Sequence, residues 1–287
     1  MRGKSKRDTS SPPIICRMPQ EIFERFSLFI KTELGIKLPP AKKNMLEARL
    51  QKRLRALGMG SHEQYCKYLF SPEGMREEMG NLVDVVTTNT TDFFREPKHF
   101  EILSTRILPE LRTRASTRPL EIWSAGCSSG EEPYTLAMVL SEFAATNPGF
   151  RFRILGTDIC REVLQRAMRG VYPEEKIESV PPLLRKKYLL RSKDRSRGLV
   201  RIDAPLRRMV EFRQLNFMSD FGFDRPRDVI FCRNVVIYFD RPTQSVLFKK
   251  FCANLAPGGY LFIGHSESLT GLDLPLRQVA PTVYLRN

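Results

Sequence analysis

Apolar residues recur at helical spacing in the first part of the chain and in short strand-like runs in the second. In EIFERFSLFIKTEL, residues Ile22, Phe23, Phe26, Phe29 and Ile30 share one helical face. Gly35 and Pro39-Pro40 interrupt that pattern. Leu46, Leu50, Leu54 and Leu57 form the next stripe, and Gly58 suits the residue that ends it. One further helix is predicted after Ser61 and one after Ser71, each serine standing at an N-cap. Residues 19–86 therefore read as a small all-helical domain. The polar, basic stretch ahead of them, 1–18, reads as a disordered tail.

Beyond a linker and helix at 87–118, the texture changes. LEIWSA, FRILGTD, VEFRQLN, DVIFCRN, GYLFIG and VAPTVYLR are strand-like, and helical segments separate most of them. That alternation predicts an α/β domain over 119–287, with a mostly parallel, Rossmann-like sheet. A stretch rich in Lys, Arg and Pro at about 171–213 interrupts the rhythm and reads as an inserted small subdomain.

Composition narrows the function classes. The 287 residues are 41% apolar, enough for a real core. No run of about 18 apolar residues is present, so no membrane-spanning helix is expected. Met1 to Arg7 is basic without an apolar run behind it, unlike a secretory signal. Six scattered cysteines without a C-x-x-C pair suit reduced thiols in a cytoplasmic protein. His62, His99 and His265 are so far apart in sequence that no metal site is expected. The net charge of +15 predicts an acidic partner without choosing its kind.

In an open parallel sheet, ligands bind beyond the carboxyl ends of the strands. After the first strand comes Gly126-Cys127-Ser128-Ser129-Gly130-Glu131-Glu132-Pro133, a tight turn followed by acids. It lacks the G-K-[ST] of a phosphate loop and the G-x-G-x-x-G of a dinucleotide site. Acids at this place suit a ligand with a cationic or amino-acid end, although they also complement a helix dipole. Asp158, at the end of the second strand, is placed to accept from ribose hydroxyls or to cap the next helix. Asn216-Phe217 and Asn234-Val235 follow later strands, where an Asn can read an adenine edge or simply shape a turn.

Five motifs in order carry a resemblance: NTTDFFRE, WSAGCSSGEEPYTLA, GTDI, FCRNVVIYFD and PGGYLFIGHSESL. Together they resemble the CheR family of chemoreceptor glutamate methyltransferases, from about residue 19 to the C-terminus. The resemblance implies transfer of a methyl group from S-adenosylmethionine, leaving S-adenosylhomocysteine. It implies a cofactor pocket lined by Asn89, Thr91, Arg95, Glu132 (or Glu131), Asp158, Asn216, Phe217, Asn234 and Val235. Arg95 and Tyr238 fall where the family faces the transferred methyl group. No metal is implied. The implied partner is the cytoplasmic helical region of membrane chemoreceptors, met by a cytoplasmic monomer that neither inserts into the membrane nor binds nucleic acid. Lys42, Arg49 and Arg53, clustered on one flank of the second helix, are the expected docking residues, with Lys52 and Arg55 further round. The inserted subdomain departs from the pattern. Where some members carry a Gly-rich turn that grips a receptor tail, Arg191 to Arg197 leave only Gly198, so tail tethering is not expected. Two other readings compete: a nucleic-acid methyltransferase, against which the absence of N-P-P-Y or D-P-P-Y after the fourth strand counts, and a silent S-adenosylmethionine-sensing module.

Overall fold

A computed structural model describes residues 17–287; residues 1–16, most of the expected tail, lie outside the described residues. At the end of that expected tail, Met18 is buried, so packing begins before residue 19. The chain divides into two compact units, 17–30 with Leu38–Val86, and Lys31–Lys37 with Thr87–Asn287.

The first unit is helical. Helix α1 (Gln20–Leu34) buries Ile22, Phe23, Phe26 and Ile30. Helix α2 (Lys43–Leu57) buries Leu46, Leu50 and Leu54, each contributing roughly 1.5–3 kcal/mol of transfer free energy. Gly58 ends α2 at φ +65°, a backbone state open to glycine. Ser61 caps α3 (His62–Leu69), its Oγ accepting from the Gln64 N–H at 3.3 Å. Ser71 caps the next helix in the same way, but the single helix expected there is two, α4 (Pro72–Glu77) and α5 (Met79–Val86). Glu78, at the break, turns inward. Its carboxylate accepts from Arg53 at 2.6 and 2.7 Å, from Tyr65 Oη at 3.0 Å and from Asn81 Nδ2 at 2.8 Å. Arg49 donates to the Val85 and Val86 carbonyls at the end of α5, at 3.2 and 3.0 Å. Two of the three expected docking cations are thus engaged inside their own unit.

The second unit opens with α6 (Pro97–Ile102) and α7 (Leu108–Thr117), joined by a π-helical turn. Then follow β1 (Leu120–Ala125), α8 (Glu131–Thr146), β2 (Phe152–Asp158) and α9 (Arg161–Arg169). The inserted part holds β3 (Val171–Pro173), α10 (Pro182–Tyr188), β4 (Leu189–Arg191), β5 (Leu199–Ile202) and α11 (Ala204–Arg207). The chain returns through β6 (Val210–Gln214), β7 (Arg227–Cys232), α12 (Arg241–Asn254), β8 (Leu255–Ile263), β9 (Leu276–Ala280) and β10 (Val283–Arg286).

The main sheet runs β6-β2-β1-β7-β8-β10-β9, parallel except for β10. Successive β1 residues serve opposite faces. Ile122 packs with Tyr134, Leu136 and Leu140 of α8, while Trp123 packs with Leu247, Phe248 and Phe251 of α12. Both faces are therefore covered, which is why β1 centres on the apolar pair Ile122-Trp123 and is buried along its whole length. The inserted part forms a separate antiparallel sheet, β3-β5-β4, and ends before residue 210, because β6 already belongs to the main sheet. VAPTVYLR, one strand by pattern, is the hairpin β9–β10. Pro281 offers no N–H, and Thr282 turns the chain at φ +57°.

Candidate active site

Within the second unit, loops after β1, β2 and β7 and the segment 87–96 are bonded to one another. The turn after β1 passes through the left-handed region at Gly126, Ser128 and Gly130, with φ of +79°, +49° and +95°. Glycine is required at 126, since a Cβ there would come 2.4 Å from Val235 Cγ2. Asp158 fixes the turn, its carboxylate accepting from the Ser128 N–H at 2.8 Å and from the Cys160 N–H at 3.0 Å. Ser128 Oγ donates to the Asn89 carbonyl at 2.7 Å, and the Asn89 amide donates to Thr87 Oγ1 at 3.1 Å. Asn89, Asp158, Val235 and the turn before the acid pair therefore meet, as a strand-end site requires.

The two acids of the turn diverge. Glu131 is buried and accepts from Ser129 Oγ at 2.7 Å. Glu132 accepts from Ser124 Oγ at 2.6 Å and lies 3.2 Å from Arg233 Nε. Burial pushes both carboxyls above their ordinary range, opposed for Glu131 by the Ser129 hydroxyl and for Glu132 by the Arg233 guanidinium. Arg233 also donates to the Arg95 carbonyl and faces Glu96 at 3.8 Å. Burial works against the Glu96 carboxylate, yet Arg233, the His265 N–H and two imidazoles hold it below the usual range.

Arg95 sits between two left-handed residues, Phe94 (φ +51°) and Glu96 (φ +55°). Such backbone persists in bulky residues only where the surroundings fix it. Here the Phe94 N–H donates to Thr135 Oγ1 at 3.1 Å. The Arg95 side chain is half-buried and gives one N–H to the Thr90 carbonyl at 3.1 Å. Thr91 is held through its carbonyl, which accepts from Lys176 Nζ at 2.9 Å.

Beyond β7, Asn234 (φ +59°) and Val235 are held by a residue to which the sequence reading gave no role. The Glu267 carboxylate accepts from the N–H groups of Asn234, Val235, Val236 and Gly264, at 3.0, 2.8, 2.9 and 2.6 Å. The signal was its motif, HSES, but no periodicity points an acid after β8 back at the end of β7. Asn216, Phe217 and Tyr238 are anchored differently. The Asn216 amide donates to the Glu33 carbonyl at 2.8 Å, and its oxygen accepts from the Met218 N–H at 2.9 Å. Phe217 packs edge-on to Phe251 at 5.5 Å, and the Tyr238 carbonyl accepts from the Lys37 N–H at 2.9 Å. His99 and His265, separated in sequence by β1 to β8, stand 5.1 Å apart ring to ring. Burial and the Arg233 charge push His99 down to about 4.

The acceptors gathered here are carboxylates, and the turn at 126–130 carries no lysine. That donor set suits hydroxyl, ammonium and sulfonium groups better than phosphates.

Comparison with known proteins agrees over both units. The family model described as "CheR methyltransferase, all-alpha domain" matches residues 21–87, and "CheR methyltransferase, SAM binding domain" matches residues 89–285. The chain is similar to a chemotaxis protein methyltransferase of Borreliella burgdorferi, 40% identical over 268 residues, covering 92% of this chain and 93% of the relative. It is 41% identical over 252 residues to chemotaxis protein methyltransferase 2 of Pseudomonas aeruginosa, covering 87% of each. With the chemotaxis protein methyltransferase of Escherichia coli it shares 37% identity over 263 residues, covering 91% of this chain and 89% of that one.

Proposed function

This chain belongs to the CheR methyltransferase family, and on that premise we propose that it transfers a methyl group from S-adenosylmethionine to glutamate side chains of chemoreceptors. The products are glutamate 5-O-methyl esters and S-adenosylhomocysteine, and the role is adaptation in chemosensory signalling. The observation that carries this reading is the cluster of carboxylates at the ends of β1, β2 and β7, in a chain that matches the family over both units.

When bound, the cofactor supplies a methyl group on a sulfonium, an already activated leaving group. Asp158, held by the Ser128 and Cys160 N–H groups at the end of β2, is assigned the ribose hydroxyls. Glu132 is the better ammonium acceptor of the acid pair, since it is partly exposed whereas Glu131 is buried. The adenine is assigned to Asn234 and Val235, with Asn216 and Phe217, and Asn89 and Thr91 are assigned to the cofactor as well. Arg95 has guanidinium N–H groups beyond the one on Thr90 to orient an incoming carboxylate, and Tyr238 is assigned a single hydrogen bond to it. No general base is needed, because a glutamate of pKa about 4.3 is already an anion at neutral pH. The residues' work is alignment and exclusion of water.

Glu267 supports Asn234 and Val235. Glu267→Ala strands four amide donors, two of them buried, and is expected to weaken S-adenosylmethionine binding about tenfold or more, each lost buried partner costing roughly 1–3 kcal/mol. Calorimetric titration measures this, and unchanged affinity would confine Glu267 to a stabilising role.

Docking shifts with the structure. Arg49 and Arg53 hold the helical unit together, whereas Lys52 and Arg55 are exposed on α2. We assign contact with an acidic receptor helix to these two, alongside Lys42. Charge reversal at both Lys52 and Arg55 is expected to lower receptor methylation several-fold at low salt while cofactor affinity stays unchanged. A rate unaffected at any ionic strength would move docking to another surface.

No described helix is long and apolar enough to cross a membrane. We propose a cytoplasmic enzyme that acts as a monomer on the cytoplasmic helices of receptors. Transfer of a labelled methyl group to receptor-bearing membranes, set against RNA, tests the proposal. Label in the membranes supports it, and label in RNA alone supports the competing nucleic-acid reading.

A further inference from the structure

Beside these carboxylates, three side chains from two distant parts of the chain converge: Glu96, just before α6; His99, in α6; and His265, just after β8. Glu96 Oε2 lies 3.4 Å from His99 Nδ1 and 3.9 Å from His265 Nε2. One potential ligand atom from each lies within 4.8 Å of the others.

Thr282 Oγ1 lies 2.7 Å from both the Pro281 carbonyl and His99 Nε2. In the tautomer in which that hydroxyl donates to the carbonyl, Nε2 carries the ring hydrogen and Nδ1 of the neutral imidazole is a bare lone pair. That lone pair faces Glu96 Oε2, which offers only lone pairs of its own. Both atoms are buried, and neither has a hydrogen-bond partner. Arg233 offsets the Glu96 charge without a hydrogen bond to it, its Nε standing 3.8 Å from Glu96 and 3.2 Å from Glu132. Two acceptors facing each other call for a positive centre between them.

We propose that Glu96 Oε2, His99 Nδ1 and His265 Nε2 bind a divalent transition-metal ion of the zinc type. Two imidazoles and one carboxylate, with a fourth position for water, form a zinc donor set. Metal bonds of about 2.0–2.1 Å place tetrahedral ligand atoms roughly 3.3 Å apart. The Glu96–His99 separation is near that value, and the exposed His265 has freedom to close the remainder. The outer partners are in place as well. In that tautomer His99 Nε2 donates to Thr282, and Glu96 Oε1 accepts from the His265 N–H at 3.3 Å and Asn234 Nδ2 at 3.4 Å. The ion would tie the segment carrying Arg95 to the loop after β8. It touches no reacting atom, so its role is to position.

The test uses the purified full chain with Co2+ as a spectroscopic probe and Zn2+ as competitor. One equivalent of Co2+ per chain should give the visible absorption of a tetrahedral nitrogen–oxygen site, displaced by Zn2+. Zn2+ should also raise the melting temperature of the wild-type chain. His265→Ala, a change at an exposed residue, should melt as wild type does in chelator, lose the Zn2+-dependent rise and bind Co2+ more than about tenfold more weakly. Glu96→Gln should weaken binding similarly. Equal affinity in wild type and His265→Ala, or an absorption spectrum of thiolate ligation, would overturn the assignment.

Discussion

Arg95→Ala is expected to keep its fold and lose about a hundredfold or more in turnover. The backbone at this position is fixed independently of its side chain. Phe94 is anchored to Thr135, Arg233 donates to the Arg95 carbonyl, and the flanking residues are held in the left-handed region. The side chain itself makes one hydrogen bond, to Thr90, so truncation removes little packing. What it removes is a planar, cationic fork at the site. Arg95→Lys keeps the charge without the fork and should fall between the two. A melting temperature within a degree or two of wild type, with methylation of receptor membranes all but gone, is the expected pair of results. Near-normal methylation would take Arg95 out of the site.

The largest expected loss of stability is at Arg53. Its guanidinium makes two hydrogen bonds, at 2.6 and 2.7 Å, to the Glu78 carboxylate, which is 1% exposed. Arg53→Ala leaves that carboxylate with only Tyr65 and Asn81 as donors, deep among the helices. Breaking a buried pair from one side costs about 3–5 kcal/mol, a large share of what holds a small unit folded. Arg53→Ala should therefore melt the helical unit early, seen as lost helical circular dichroism and rapid proteolysis within 17–86. Receptor methylation would fall for that reason and not through a lost receptor contact. Arg53→Ala with Glu78→Leu removes both charges and should recover much of the stability. Wild-type melting of the single variant would return Arg53 to the docking surface.

That residue shows what the sequence could and could not convey. The α2 stripe of Leu46, Leu50 and Leu54 is local information, because three turns of one helix share an inner face. The same reading put Arg53 on the outside, since arginines usually end there, and no local pattern announces an inward Glu78 from another helix. The strands of the main sheet were legible as apolar runs, because helices cover both faces of β1. The β9–β10 hairpin was not, because its turn is only Pro281-Thr282 and the flanking runs merge. At the site, Gly126, Gly130 and Asp158 declare themselves by residue type and place. Glu267 and the meeting of His99 with His265 depend on which strand ends lie side by side, which is a property of sheet order. Family resemblance, more than periodicity, supplied the cofactor and the acceptor. The strand-end carboxylates agree with the cofactor.

The most direct test of the central claim is the chemical identity of the methylated product. The purified chain, S-adenosylmethionine and receptor-bearing membranes are incubated together, and receptor peptides are then sequenced by mass spectrometry. The expected result is one added methyl per modified glutamate side chain, removed by mild alkali as an ester is, with S-adenosylhomocysteine formed in equal amount. Methyl groups on amines, or on no receptor residue at all while S-adenosylhomocysteine accumulates, would contradict it.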